Sequence, residues 1–313
     1  MPRILTYEAA GADEGRLVRD VIREDFRLVA HDTARAKYRT ENGITVDGVP
    51  VRVNHPLHPG NVLRVVLSDE PPVRIVPAEG PLAILYEDED VICINKPAGT
   101  VVHPSHGHFS DTIANYLAFY FEQKGEPREI RTVGRLDKDT SGILVFGKNR
   151  TACAHLTEPA EKGTRRKRYL ALAHGVFGAP EGEIDAPIER EFAGLQKRVV
   201  REGGDEAHTS WKVAYQFPDF ALVEAEIATG RTHQIRVHLT HIGHPLVGDR
   251  LYGPEYADAD AAIGLTRAAL HAHRLDFAQP FTGERIALCA PVPADMRGAL
   301  ARFLPEEELR DLP

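Results

Sequence analysis

Cysteine is scarce in this 313-residue chain, which has only Cys93, Cys153 and Cys289. They lie far apart in apolar stretches, so a disulfide framework and a cysteine-rich zinc site are excluded, and three small buried hydrophobes are expected. Long apolar runs are also missing. No stretch of about 18 apolar residues is present to span a bilayer. The opening MPRILTYEAAGADEGR lacks the apolar centre of a secretory signal. The expected location is therefore the cytoplasm, away from membranes. Nor is there an excess of cations: the formal net charge of −8 argues against indiscriminate adhesion to nucleic acid. The sequence also shows no nucleotide-binding glycine loop, no His-Glu-x-x-His pattern and no internal repeat.

What is present suits a globular protein. With 42% hydrophobic residues, the chain can bury a sizeable core and is long enough for two domains. Its charge is unevenly spread. Between residues 131 and 170, ten cations face four acids, which implies either a surface for a polyanion or a solvated basic face. Residues 69–81 are rich in proline and lack periodicity. They are expected to link a small N-terminal module, residues 1–68, to a larger domain, residues 82–313.

In the module, GRLVRDVIREDFRLVA predicts a short helix with Leu17, Val21 and Phe26 inward, and ENGITVDGVPVRV and NVLRVVL predict strands joined by tight turns. Beyond the linker, LAILYEDEDVICINKPAG predicts two strands around an exposed acidic turn. SDTIANYLAFYFEQKG predicts a helix capped by Ser110 and ended by Gly125. Residues 143–146 predict a strand buried on both faces. KRYLALAHGVF and FALVEAEIA predict further strands, and residues 232–242 a helix with Ile235, Leu239 and Ile242 along one face. Strands outnumber helices without regular alternation, so the expected class is α+β with a largely antiparallel sheet.

Three segments concentrate polar residues: NKPAGTVVHPSHGH, GRLDKDTSGILVFGK and ATGRTHQIRVHLTHIGHPLVGDRLYG. Together they resemble the RluA-type pseudouridine synthases, which carry an Arg-Leu-Asp-x-x-Thr-Ser-Gly core, a Lys-x-Tyr strand and a Gly-Arg-Thr-His-Gln-Ile-Arg-x-His segment. Here these fall at residues 135–142, 167–169 and 230–238, and the resemblance extends from about residue 82 to about residue 293. TARAKYRTENGITVDGVPV is more loosely similar to the small RNA-binding fold that often precedes this domain, which leaves the module a choice between RNA binding and packing. Gly134 departs from the pattern, since many relatives have His there.

The resemblance implies isomerisation of uridine within ribosomal or transfer RNA, without cofactor, metal or obligate protein partner. A carboxylate must stay ionised in a closed pocket, and a paired cation opposes the cost of desolvating it. The pattern maps the carboxylate to Asp137, its cation to Arg236, and the ring against the base to Tyr169, with removal of the C5 proton as a further role for that ring. Attack on the sugar, attack on the base and removal of a sugar proton all remain open to Asp137. Arg135 is implied to fill the stack vacated by a flipped base. Lys96, Arg165, Arg166, Lys167 and Arg168 are the candidate contacts to the RNA backbone.

Two rival readings belong to other classes. A metal-dependent hydrolase could use His103, His106 and His108 with His233, His238, His241 and His244. A noncatalytic RNA-binding protein is disfavoured by the presence of Asp137, Tyr169 and Arg236 together.

Overall fold

The computed structural model describes residues 3–38, 40–67, 75–105, 107–126, 128–157, 165–192, 196–310 and 312. Strands β1 (Arg3–Glu8), β2 (Ile44–Val46), β3 (Val49–Pro50) and β4 (Val62–Leu67) form an antiparallel sheet in the order β1-β4-β2-β3. Helices α1 (Val18–Glu24) and α2 (Ala30–Tyr38) accompany it. Val18, Val21, Ile22, Phe26, Leu57, Leu63 and Val65 fill its core. Val18 takes the inward place expected for Leu17, which instead stands at the N-cap of α1. Of the proline-rich segment, residues 68–74 lie outside the described residues. Farther along it, the Val76 carbonyl accepts from Asn115 Nδ2 at 2.7 Å.

The larger sheet has ten strands. Its path runs β10-β13-β14-β9-β15-β8-β6-β5, with β7 paired to β8 and β16 to β15. The strands are β5 (Ile84–Glu87), β6 (Val91–Lys96), β7 (Arg131–Val133), β8 (Ser141–Gly147), β9 (Arg165–His174), β10 (Glu181–Asp185), β13 (His208–Gln216), β14 (Phe220–Ile227), β15 (Leu270–Ala278) and β16 (Arg285–Cys289). Two more, β11 (Ile188–Arg190) and β12 (Arg198–Val200), make a separate hairpin. Among the described residues only β15 with β8 pairs in parallel, so the α+β class with a largely antiparallel sheet holds. Every residue of β8 is buried, as its continuous apolar run predicts. Helices α3 (Ile113–Gln123), α4 (Arg150–Thr157) and α5 (Gln234–His241) flank the sheet.

Several local expectations are corrected. The N-cap of α3 is Thr112, not Ser110. The acidic turn is not wholly exposed: Asp90 is buried because Arg3, Asn149 and Gln279 all donate to it. Lys148 similarly satisfies Glu87 at 2.8 Å. Of the cysteines, Cys93 is buried and Cys153 half-buried, but Cys289 is exposed at the end of an edge strand.

The Thr-Ser-Gly turn has a clear structural reason. Gly142 adopts φ +106°, and a Cβ there would sit 2.2 Å from the Ala272 carbonyl oxygen. Only glycine lets β15 cross this closely. Ser141 beside it pairs with His271 Nδ1 at 2.9 Å. This crossing fixes the start of β8, and with it the loop that carries Asp137.

Candidate active site

Asp137 lies in the loop between β7 and β8 and lines a cleft of about 420 Å³, solvent at its mouth included. Arg135, Leu136, Tyr169, His233 and Leu270 line the same cleft. Arg236, on α5, reaches Asp137 Oδ2 through Nη1 at 3.5 Å. The three residues mapped as catalytic are thus brought together from three separate parts of the chain, and Arg135 stands exposed at the rim.

Arg236 is held chiefly by a residue that the sequence reading missed. Its Nε and Nη2 donate to the two oxygens of Asp249 at 2.6 and 2.8 Å, and Asp249 is buried. This two-pronged geometry is the strong form of an arginine–carboxylate pair. Burial works against the Arg236 charge, yet the hydrogen bonds and charge of Asp249, joined by Asp137, hold its pKa above the ordinary value. The guanidinium also lies over the Tyr252 ring, 5.0 Å from its centre. The signal available in sequence was GDRLYG, within a segment already singled out for its polar residues.

Tyr169 is buried on β9. Burial first, and the Asp137 charge second, push its phenol pKa up, so the ring is a neutral wall of the cleft. Alternation along β9 places Arg165 and Lys167 on the Tyr169 side of the strand and Arg166 and Arg168 on the other. Lys167 is half-buried, and desolvation with Arg165 alongside lowers its pKa to about 8. Its Nζ would lie 3.0 Å from a Cβ at Gly134, where φ is +77°. Arg168 donates to Asp276 at 3.0 Å and Arg166 lies 3.8 Å from Glu226. The structure does not bring these last two to the cleft.

Lys96 is corrected outright. It is fully buried, and its Nζ donates to the carbonyls of Pro97, Thr100 and Lys138 at 2.8, 2.9 and 2.8 Å. No phosphate can reach it. Instead it ties the Asn-Lys-Pro-Ala-Gly turn to the peptide that follows Asp137, and burial lowers its pKa to about 7.

The glycine-arginine-threonine-histidine turn is fastened through Gln234. Its Oε1 accepts from Arg231 N and Thr229 Oγ1, while its Nε2 donates to His208 O and Thr209 Oγ1. The histidines of the rival reading are dispersed among separate partners: His103 meets Thr132, His108 meets Asp111, and His238 is buried between Thr209 and the Ala186 carbonyl. His106 lies outside the described residues. Among the described residues no group of three His, Cys, Asp or Glu is disposed to hold a metal ion, and no helix is long and apolar enough to cross a membrane.

Comparison with known proteins places the chain among relatives of one kind. A family model described as RNA pseudouridylate synthase matches residues 90–241. The chain is 40% identical over 256 residues to the uncharacterized RNA pseudouridine synthase YhcT of Bacillus subtilis, spanning 79% of this chain and 83% of that protein. It is 37% identical over 274 residues to the ribosomal large subunit pseudouridine synthase D of Nitrosomonas europaea, spanning 86% and 78%. Among solved structures, the human RNA pseudouridylate synthase domain containing 4 superposes with a TM-score of 0.56 at 25% identity, spanning 71% of this chain and 92% of that one.

Proposed function

The chain belongs to the RluA-type RNA pseudouridine synthases and isomerises uridine in RNA, and from that premise we propose that Asp137 is the reacting carboxylate and large-subunit ribosomal RNA the substrate. The isomerisation conserves atoms. The bond from C1′ to N1 breaks, the uracil turns, and a bond from C1′ to C5 forms while the C5 proton leaves and N1 gains one. The observation that carries the assignment is the position of Asp137 in the cleft, with the buried Tyr169 ring as one wall and the Asp249-anchored Arg236 beside Oδ2. Arg236 sets a cation beside the carboxylate as the substrate excludes water. Tyr169, held neutral, supports the base as a flat wall, a role that suits it better than proton acceptor.

A uridine inside a stem cannot reach Asp137 unless it is flipped out. Arg135, exposed at the rim two residues away, supplies a planar cation for the vacated stack. Arg165 and Lys167, on the Tyr169 side of β9, favour the backbone near the cleft. The choice of ribosomal RNA is supported by the name of the Nitrosomonas relative and by a second large-subunit synthase D, from Haemophilus ducreyi, 36% identical over 275 residues. The N-terminal module, residues 1–68, adds a second RNA-facing surface in this reading.

Tritium release from RNA labelled at uridine C5 tests the assignment. Wild-type protein is expected to release tritium, and Asp137→Asn to bind the RNA and release none. Release by Asp137→Asn at the wild-type rate would overturn it. Pseudouridine mapping in cells with and without the gene tests the substrate: a lost site in transfer RNA alone would refute the ribosomal choice.

A further inference from the structure

A second group approaches the reacting carboxylate beside Arg236. His233 Nε2 lies 3.8 Å from Asp137 Oδ2, the oxygen that Arg236 Nη1 also approaches. Behind the imidazole, His233 Nδ1 is 3.0 Å from Tyr252 Oη. Tyr252 Oη in turn accepts the backbone N–H of Arg198 at 2.8 Å. With that N–H directed at its oxygen, the Tyr252 hydroxyl has its own proton to give to Nδ1. A neutral imidazole that accepts at Nδ1 carries its proton on Nε2. That proton faces Asp137.

We propose that His233 is a positioning residue for the isomerisation: a neutral imidazole, its tautomer set by Tyr252, whose Nε2–H holds Oδ2 of Asp137 and leaves Oδ1 to the substrate. The inference rests on the assignment of Asp137 as the reacting carboxylate. Arg236 supplies charge in this scheme, and His233 supplies direction. A protonated imidazole in the same place would add a second cation against the carboxylate and weaken it as a reacting group.

The surroundings favour the neutral ring. Burial lowers the His233 pKa more strongly than Asp137 and Asp249 raise it, and Arg236 and Arg135 push it down as well. Arg231 is the remaining charge lining this part of the cleft. Tyr252 meets the imidazole edge to face, with ring centres 5.7 Å apart, and carries Arg236 over its own ring. One tyrosine therefore braces both groups that approach Oδ2. His233 also has φ +59°, a left-handed conformation at the N-cap of α5. Strain of this kind is maintained where the surrounding structure holds a residue in place. The 3.8 Å gap is longer than a hydrogen bond, and contacts of this kind shorten when substrate closes the site.

The test compares wild type, Tyr252→Phe, His233→Asn, His233→Ala and Asp137→Asn in single-turnover isomerisation across pH 5 to about 9, with RNA affinity measured in parallel. Tyr252→Phe keeps the ring under Arg236 but removes the proton given to Nδ1. Its rate at neutral pH is expected to fall about tenfold, the scale of one lost hydrogen bond, with the acid limb moved to higher pH and RNA affinity unchanged. Asparagine tolerates the left-handed backbone and offers an amide donor, so His233→Asn is expected to outperform His233→Ala. A wild-type rate and acid limb in both Tyr252→Phe and His233→Asn would overturn the role of His233, as would a loss of RNA affinity in place of rate. If Asp137→Asn itself turns over at the wild-type rate, the assignment of Asp137 falls. If Asp137→Asn is inactive while the other variants match wild type, only the positioning role falls.

Discussion

Arg236 gives two nitrogens to Asp249, at 2.6 and 2.8 Å, and offers a third to Asp137 at 3.5 Å. The shorter contacts fix the direction of the longer one. Asp249 Oδ1 also accepts the backbone N–H groups of Leu251 and Tyr252 at 3.0 and 3.3 Å, so the same carboxylate shapes the turn that carries Tyr252.

Asp249→Asn is expected to lower single-turnover rate by about 100-fold, because displacement of a charge near the reacting group by about 1 Å has that effect. RNA affinity should change little, since Asp249 is buried away from phosphate. Asp249→Ala is expected to do more. It leaves the Arg236 guanidinium buried without its partner, a change that costs about 3–5 kcal/mol of stability. Urea unfolding of the two variants beside wild type checks the stability, and a wild-type turnover in Asp249→Asn would show that Arg236 is positioned by other contacts.

Lys96 carries a pH dependence of known sign. Its folded pKa is lowered to about 7 by burial, whereas a lysine in the unfolded chain titrates near about 10.4. Below about pH 7 both states hold the proton and the cost of burying the charge is fully present. Between those two values the unfolded chain binds more protons, so stability rises with pH. Lys96→Met is expected to abolish that part of the rise in the urea midpoint, and to destabilise at every pH because three carbonyls lose their donor. Its RNA affinity should keep the wild-type salt dependence, whereas removal of a true phosphate contact would reduce the slope by about 1.

Asp137, Tyr169 and Arg236 were legible through the resemblance carried by the three polar blocks, and local chemistry gave the elements on which they stand. Asp137 lies between Arg135 and Lys138 just before a buried strand, and Tyr169 stands on an alternating strand. Their elements followed from period and turn chemistry. Asp249 was not legible in the same way, because its partner Arg236 lies 13 residues earlier and only the return of the chain after α5 brings the two together. Lys96 and Asp90 failed for a common reason: hydropathy places a charge outside, and nothing in the local sequence reveals three converging carbonyls or the Arg3, Asn149 and Gln279 donors. The separation of Arg165 and Lys167 from Arg166 and Arg168 could have been read. The two-residue period of β9 already sorts them around Tyr169.

Arg135 separates chemistry from access. It is exposed at the rim of the cleft, and the described structure gives it no ion pair that would tie it away from RNA. If its guanidinium fills the stack left by a flipped uridine, Arg135→Ala leaves Asp137, Arg236 and Asp249 untouched and removes only that filler. A uridine in a stem then bears the full cost of unstacking, a few kcal/mol, whereas one already unstacked in a loop bears little. The expected result is a large loss of single-turnover rate on the stem substrate and a small one on the loop substrate of the same flanking sequence. Asp137→Asn, measured beside it, should lose turnover equally on both, because the carboxylate is needed however the base arrives. Equal stem and loop losses in Arg135→Ala would remove the flipping role and leave Arg135 as a phosphate contact, which a reduced salt dependence of RNA binding would then reveal.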